Sequence, residues 1–496
     1  MEPIFELALD LPGKDSRQLL RAMHSQFRAA ILDGRLQPGL RLPPTRVLAA
    51  TYGVSRNTAV ATYDLLLAEG YLEARPGAGT YIARALSPHR HRQQAAGKPG
   101  AAVPPGQHGQ RLNHYWRNPP ATITTQAEVP PLYDFQLGSP DQQYFAFDVW
   151  RRLSARSLHS LSKARSSYEG PQGRPALRAA IAIHVSQTRA VACSPQDILV
   201  TSGAQQAFDL LARILVTPGK TVVAVEDPGY PPLRAVLAAA GAKIIPVAVD
   251  EEGLMVEQLP KQAKIICVTP SHQFPLGVAM SARRRAALLE HAQRHGAVII
   301  EDDYDSEFRY GGRPLDALQT LDRADSVFYV GTFSKSLFPA LRLGFVVAPA
   351  WAQAALAAAR QCSDWHGNLL AQDTLAAFIS EGHLARHVRK MRLVYDRRRR
   401  LLLEALQTGF GPQLRVLPSA AGLHLAALAL PQTAGGLQDI VHRVQRQGLS
   451  VNPLSRYCLL KRPAQAGLVF GYGAIGETAI PPAMAILRAA CGSSGS

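Results

Sequence analysis

Apolar residues recur along this chain in two periods, and the change of period divides it. Near the start Leu20, Met23, Phe27 and Ile31 fall three and four apart, the spacing that lines one face of a helix. Gly34 and the QPG at 37–39 end that helix. Pro43 and Pro44 set an extended entry to a short second helix over 45–51. Gly53 supplies a turn with positive φ, and Ser55 is an N-cap for a third helix running to about Glu69. GYLEARPGAGTYIA then reads as two short strands around a Gly-rich tip. From about residue 131 the period shortens. DILVT (197–201), TVVAVED (221–227), KIICVTP (264–270), AVIIEDD (297–303), SVFYVGT (326–332) and GFVVAPA (344–350) are strand-like runs, separated by helical stretches such as AQQAFDLLARIL and ARRRAALLEHAQRH. Short buried strands alternating with helices predict an α/β unit, a mostly parallel sheet covered on both faces. A long basic helix, HLARHVRKMRLVYDRRRRLLLEAL, leads into a smaller C-terminal subdomain from about 385.

Composition sharpens this division. Residues 1–83 and 131–490 carry periodic apolar patterns. Residues 84–130 are rich in Pro, Gly, Gln, His and Ala with no such pattern, which predicts a flexible linker. No run of 18 apolar residues is present, so a membrane helix is not expected. The start, MEPIFELALDLPGKD, lacks the basic and apolar segments of a secretory signal. Five scattered cysteines without a CxxC pair fit reduced thiols, with neither a zinc site nor a disulfide framework. These features predict a cytoplasmic protein without a metal site. The formal net charge is +17, and residues 34–63 and 87–127 contain no acid. Such a balance favours a polyanionic partner.

The N-terminal pattern is helix, helix, turn, helix, hairpin: a winged helix-turn-helix. The segment GRLQPGLRLPPTRVLAATYGVSRNTAVATYDLLLAEGYLEARPGAGTYIA resembles the DNA-binding domain of the GntR family over its whole length. The resemblance implies that Arg46 and the start of the third helix, Ser55, Arg56, Asn57 and Thr58, face double-stranded DNA. The chemistry agrees. A recognition helix presents its first residues to the major groove. Arg bonds guanine and Asn bonds adenine in bidentate fashion. Hydroxyls and a helix N-terminus suit phosphate. Gly79 at the hairpin tip allows close approach to the backbone or minor groove.

The C-terminal unit carries a different chemistry. VGTFSKSLFPALRLGF (330–345) places Lys335 in apolar surroundings after a strand, with Arg342 seven positions on. A buried lysine can form an imine with an aldehyde cofactor. EDDYD (301–305) follows the strand AVII, and EDPGYPPL puts Tyr230 on a turn after another. TSGAQQA joins strand to helix, so its N–H groups can cradle phosphate. Open α/β sheets bind ligands at such strand ends.

This order resembles the fold type I aminotransferases, and implies pyridoxal 5′-phosphate as cofactor. By that resemblance Lys335 is the Schiff-base lysine, Asp302 pairs with the pyridine nitrogen and Tyr304 bonds the ring hydroxyl oxygen. Tyr230 stacks on the ring. Gly203, Ala204, Thr332 and Arg342 surround the phosphate, and Tyr168 reaches the phosphate of a neighbouring subunit. One loop departs: where catalytic aminotransferases carry Asn before Pro, TPSHQFPLG has Phe274 before Pro275.

A GntR-type reader fused to an aminotransferase-like domain is the architecture of the MocR/GabR subfamily, which implies a head-to-tail homodimer. The usual carboxylate-binding Arg is missing from GLVFGYGA (467–474), leaving Arg456 and Arg462 as candidates. Pro232 stands where effector-binding members carry another Arg. The expected effector is an amine, an amino acid or the cofactor itself. The expected function is that of a ligand-responsive transcription regulator. The alternative is an active aminotransferase with an autoregulatory DNA-binding domain.

Overall fold

The computed structural model describes residues 7–12, 18–83, 113–117, 130–164, 167–311, 315–459 and 466–492. The chain separates into two compact units, one ending at Leu112 and the other beginning at Asn113.

The first unit has helices Leu19–Leu32, Thr45–Tyr52 and Arg56–Ala68, then strands Leu72–Arg75 and Gly79–Ile82. The strands pair antiparallel, Leu72 opposite Ile82. Leu19, Met23, Phe27 and Ile31 form the buried stripe of the first helix, and Leu20 is only half-buried. The stripe therefore runs in steps of four from Leu19, one position earlier than the sequence spacing suggests. Met23, Phe27, Leu48, Ala59, Leu66 and Ile82 close the core with no exposed surface. Gly53 takes φ 62° to end the second helix, and the Ser55 hydroxyl accepts from Thr58 N at the start of the third.

The second unit is built on an eight-stranded sheet. All six strand-like runs are strands: Ile198–Thr201, Val222–Asp227, Ile265–Val268, Val298–Asp303, Val327–Thr332 and Gly344–Val347. Two more, Lys243–Asp250 and Gly253–Leu254, extend one edge. The Pro in KIIPVAVD disguises the first of these. Pro246 pairs with Val225 on one side, while Gly253–Leu254 meets the strand only at Val249 and Asp250. The missing N–H of Pro246 thus costs no ladder bond. The central strands run parallel, and Gly344–Val347 is antiparallel to both neighbours. Alternate residues enter opposite cores. Val223, Ile265 and Ile300 pack with Phe208 and Leu211, whereas Ala224, Ile266 and Ile299 pack with Leu288 and Ala292. Both sheet faces are therefore covered.

The small subdomain is a four-stranded sheet of Leu414–Val416, His424–Ala429, Gly467–Gly471 and Asn452–Pro453, behind the long helix His383–Phe410. Among the described residues no helix is long and apolar enough to cross a membrane. Most of the expected linker, 84–130, lies outside the described residues. Within it His114–Arg117 forms one helical turn, and the Tyr115 hydroxyl donates to Ala235 O at 3.0 Å, on the helix Pro231–Ala239.

The opening of this unit is stitched to its end. Tyr133–Asp134 pairs with Leu449–Ser450. Arg398 on the long helix donates to Asp141 Oδ2 at 2.5 Å and to Gly473 O at 2.6 Å, with both side chains buried. Removing one partner of such a pair leaves a buried charge uncompensated. Asp141→Ala should therefore cost roughly 3–5 kcal/mol. A fall in the urea midpoint of the second unit checks this, and an unchanged midpoint contradicts it.

Candidate functional site

A cavity of about 420 Å³ opens at the C-terminal ends of the parallel strands. Its wall brings together Ala204, Tyr230, Asp302, Tyr304, Thr332, Lys335, Arg342 and Arg456, eight of the residues singled out in the sequence. Gly203 lies beside them at φ 84°, where a Cβ would stand 3.0 Å from the Arg342 guanidinium. Arg342 Nη2 donates to Ser202 O at 2.9 Å, so the cation sits over the first turn of the helix Ala204–Leu215. Thr332 Oγ1 is bonded to Ser334 N and Oγ on the same wall. One end of the cavity thus offers a helix N-terminus, hydroxyls and an Arg, the donor set that suits phosphate.

The strand Val298–Asp303 explains how four neighbouring acids do different work. Glu301 points away and accepts from Leu318 N and Gln319 N. Asp303, on the same face, accepts from Arg189 Nε and the Tyr329 hydroxyl, both at 2.6 Å. Asp302 alternates to the cavity side. Burial, then Asp303, pushes its carboxyl up to about 8, against the pull of Lys335. Its Oδ1 is buried without a hydrogen-bond partner. Asp305, past the strand, turns to His272.

Burial lowers the pKa of Lys335, while Asp305 and Asp302 oppose the shift. Its Nζ donates to Gly138 O at 2.7 Å. Gly138 has φ 67°, and a Cβ there would lie 2.5 Å from Nζ. Tyr230 caps the helix Pro231–Ala239, and burial, then Asp302, pushes its phenol up to about 12. The Tyr304 hydroxyl, expected at a cofactor ring oxygen, donates here to His272 O at 3.0 Å.

The departing loop has a physical account. Gln273 folds inward, its amide bonding Glu226, Pro228 O and Phe274 O. Phe274 therefore presents only a ring to the cavity, edge-on to Tyr230 at 5.3 Å and to Tyr304 at 6.0 Å. Gln136, Gly138, Ser334, His424, Asn452 and Tyr457 also line the wall. Sequence reasoning passed over them because they arrive from the chain's opening and its small subdomain, and no local motif marks them. His272, Asp305 and His424 bring metal-type donors within 4.8 Å of one another, where no metal site was expected. The Asp305 oxygens are already bonded to His272 Nδ1 and Leu423 N.

Two residues stand apart. Tyr168 is 76% exposed and packs against Trp365, outside the cavity wall and not in the core. Arg462 lies outside the described residues, whereas Arg456 is exposed at the cavity rim.

In the first unit Arg46, Ser55, Arg56 and Asn57 are exposed and Thr58 is half-buried. Ser55 and Thr58 spend their hydroxyls on the helix cap, 2.8 Å apart. Among the described residues nothing bonds the side chains of Arg46, Arg56 or Asn57. Gly79, at φ 110°, leaves 3.2 Å between its Cβ position and Arg41 Nε, which adds Arg41 to that surface.

The geometry defines a class: a DNA-binding winged helix joined to a fold type I aminotransferase-like domain. Aminotransferase class I and II matches residues 134–440, and the gntR family of bacterial regulatory proteins matches residues 22–82. The probable rhizopine catabolism regulatory protein MocR of Rhizobium meliloti is 37% identical, over 95% of this chain and 93% of its own. The HTH-type pyridoxine biosynthesis transcriptional regulator PdxR of Corynebacterium glutamicum is 32% identical, over 95% and 96%. Pyrococcus horikoshii kynurenine aminotransferase shares the fold, with TM-score 0.71 and 23% identity over 79% of this chain and 99% of its own. The chain belongs to the MocR/GabR subfamily of GntR-type transcription regulators, and its cofactor is pyridoxal 5′-phosphate. The cavity fits that group: a buried carboxyl oxygen without a partner, an amine held nearby, and a phosphate-type donor set at one end.

Two expectations follow. Arg56→Ala should weaken operator binding by about 1–3 kcal/mol and relax preference at one base position. Binding to a panel of operator variants checks this, and a loss equal across all sequences would make Arg56 a phosphate contact. The second concerns protein stripped of cofactor. Asp302 holds its proton to about pH 8 when folded but only to roughly pH 4 when unfolded. The folded state then carries the extra proton between those values, so stability falls as pH rises through them. Cofactor-free Asp302→Asn should be more stable than cofactor-free wild type near pH 8, with a shallower decline from about pH 5. Thermal unfolding that ranks them the other way refutes it.

Proposed function

We propose that the protein is a cytoplasmic, ligand-responsive transcription regulator that senses an amine-bearing effector at Lys335. One observation carries the reading: Lys335 and the unpartnered oxygen of Asp302 share one buried cavity. Pyridoxal phosphate supplies an aldehyde that condenses reversibly with amines and a ring that withdraws electrons when its nitrogen is protonated. Asp302 holds that nitrogen's proton in place. Lys335, its ammonium disfavoured by burial, is the amine that an effector displaces. Tyr230 covers the ring face and Tyr304 orients toward its oxygen. Gly203, Ala204, Thr332 and Arg342 hold the phosphate. Tyr168, exposed beside Trp365, is free to reach a partner subunit's cofactor in a head-to-tail homodimer. The reader engages duplex DNA through Arg46, Arg56, Asn57 and the backbone at Ser55, Thr58 and Gly79.

The charged residues of the cavity wall are Asp302, Lys335, Arg342 and Arg456. The first three belong to the cofactor in this reading. Arg456 then remains for the effector, which favours an amino acid over a simple amine. Sustained aminotransferase turnover is the weaker reading. Phe274 offers the cofactor no polar group, and the strand Gly467–Gly471 brings no Arg. Borohydride should fix the cofactor to the peptide containing Lys335, and Lys335→Ala should abolish the adduct without unfolding the protein. Multiple-turnover assays against amino donors and oxo-acids should stay near background. Labelling at another lysine overturns the site, and rapid turnover restores the enzyme reading.

A further inference from the structure

Behind Tyr304 lies a buried chain of polar groups that cofactor binding alone does not require. His272 and Asp305 are each 2% exposed. His272 Nδ1 stands 2.9 Å from Asp305 Oδ1 and 3.1 Å from the Tyr304 hydroxyl. Its Nε2 is 3.3 Å from Ser419 Oγ, which bonds onward to Ala421 O. Asp305 Oδ2 accepts from Leu423 N at 3.1 Å, and the His424 ring stacks on His272 at 4.5 Å. Ser419 to His424 is the turn that enters the first long strand of the small subdomain. His272, Tyr304 and Asp305 sit on loops of the large sheet. One imidazole thus touches a phenol on the cavity wall and a turn of the opposite subdomain.

The fit leaves no slack. Gly422 has φ +79°, and a Cβ there would lie 1.9 Å from His272 Cε1. Its N–H donates to Phe308 O at 2.7 Å, and its carbonyl accepts from the hydroxyls of Tyr310 and Tyr472, each at 2.6 Å. The turn cannot slide without displacing the ring. A carboxylate only accepts, so the hydrogen between His272 and Asp305 sits on Nδ1. The Tyr304 oxygen shares that hydrogen and keeps its own to give. A hydroxyl that accepts one hydrogen bond becomes a stronger donor of the next.

We propose that His272, fixed by Asp305, is a positioning residue: it sets the Tyr304 phenol against the cofactor and ties it to the small-subdomain turn Ser419–His424. The state of the cofactor and the position of the subdomain are then coupled through one side chain. This rests on the reading that the cavity holds pyridoxal phosphate with Tyr304 at its ring oxygen.

The test uses full-length protein loaded with pyridoxal phosphate and records the pH at which the bound cofactor's visible absorption changes. A donor at the ring oxygen stabilises negative charge there. Losing it makes the cofactor hold its proton more strongly, so the midpoint moves up. Tyr304→Phe should raise the midpoint by on the order of one pH unit. His272→Leu should raise it similarly and Ser419→Ala by less, although neither residue lines the cavity. His272→Gln, which keeps a donor for Asp305, should recover most of the wild-type value. In a Tyr304→Phe background, His272→Leu should add nothing. Unmoved midpoints in His272→Leu and Ser419→Ala, or a fully additive double variant, overturn the inference. If His272→Leu does not fold, Ser419→Ala alone and combined with Tyr304→Phe decides by the same criteria. Wild type that takes up no cofactor, or a Tyr304→Phe variant with an unmoved midpoint, means instead that the cavity reading has failed, and the inference falls with it.

Discussion

Asp302 and Lys335 are buried in one cavity and are not paired with each other. The lysine gives its hydrogen to Gly138 O, and one oxygen of the carboxyl has no partner. Groups left so in a dry site carry an unrepaid desolvation cost. The fold keeps them apart. Asp302 ends one strand, and Lys335 stands three residues beyond the end of the neighbouring strand. The rest of the second unit serves that separation. The parallel strands bring both groups to one rim, two apolar cores hold the rim rigid, and Arg189 takes up Asp303, which would otherwise compete for the lysine. A molecule with an aldehyde at one position and a basic ring nitrogen at another relieves both costs together.

The alternation of the strand Val298–Asp303 also shows where sequence reading stops. The run EDDYD is legible as a strand end rich in acid. Which acid serves the cavity follows from the face each residue occupies, and that is fixed by pairing to Val327–Thr332. Family resemblance selected Asp302, and the observed register puts Asp302 on the cavity side. The same logic fails for Tyr304. Its neighbours His272 and Asp305 are close in space because two loops and a turn from the small subdomain converge, and no spacing along the chain records that.

Local signals served the first unit better. Its capping serine, its Gly53 turn and its hairpin are each decided within a few residues, so pattern alone located them. The second unit hid its edge strand behind Pro246 and its antiparallel strand behind a run of apolar residues that looks like any parallel one. Part of the cavity wall was hidden for a different reason. Residues 136–138 arrive directly from the segment paired with Leu449–Ser450, so their place depends on contacts more than 300 residues away.

Gly138 gives this arrangement a genetic signature. Its carbonyl holds the lysine, and its missing side chain is the space the lysine occupies. The residue belongs to neither the DNA-reading surface nor the strands of the large sheet. Any replacement there disturbs the sensing amine while leaving the operator-reading surface intact. Alleles at this codon would accordingly be uninducible rather than null: the repressed or activated set-point would persist, deaf to its signal, and would be dominant whenever mixed dimers form.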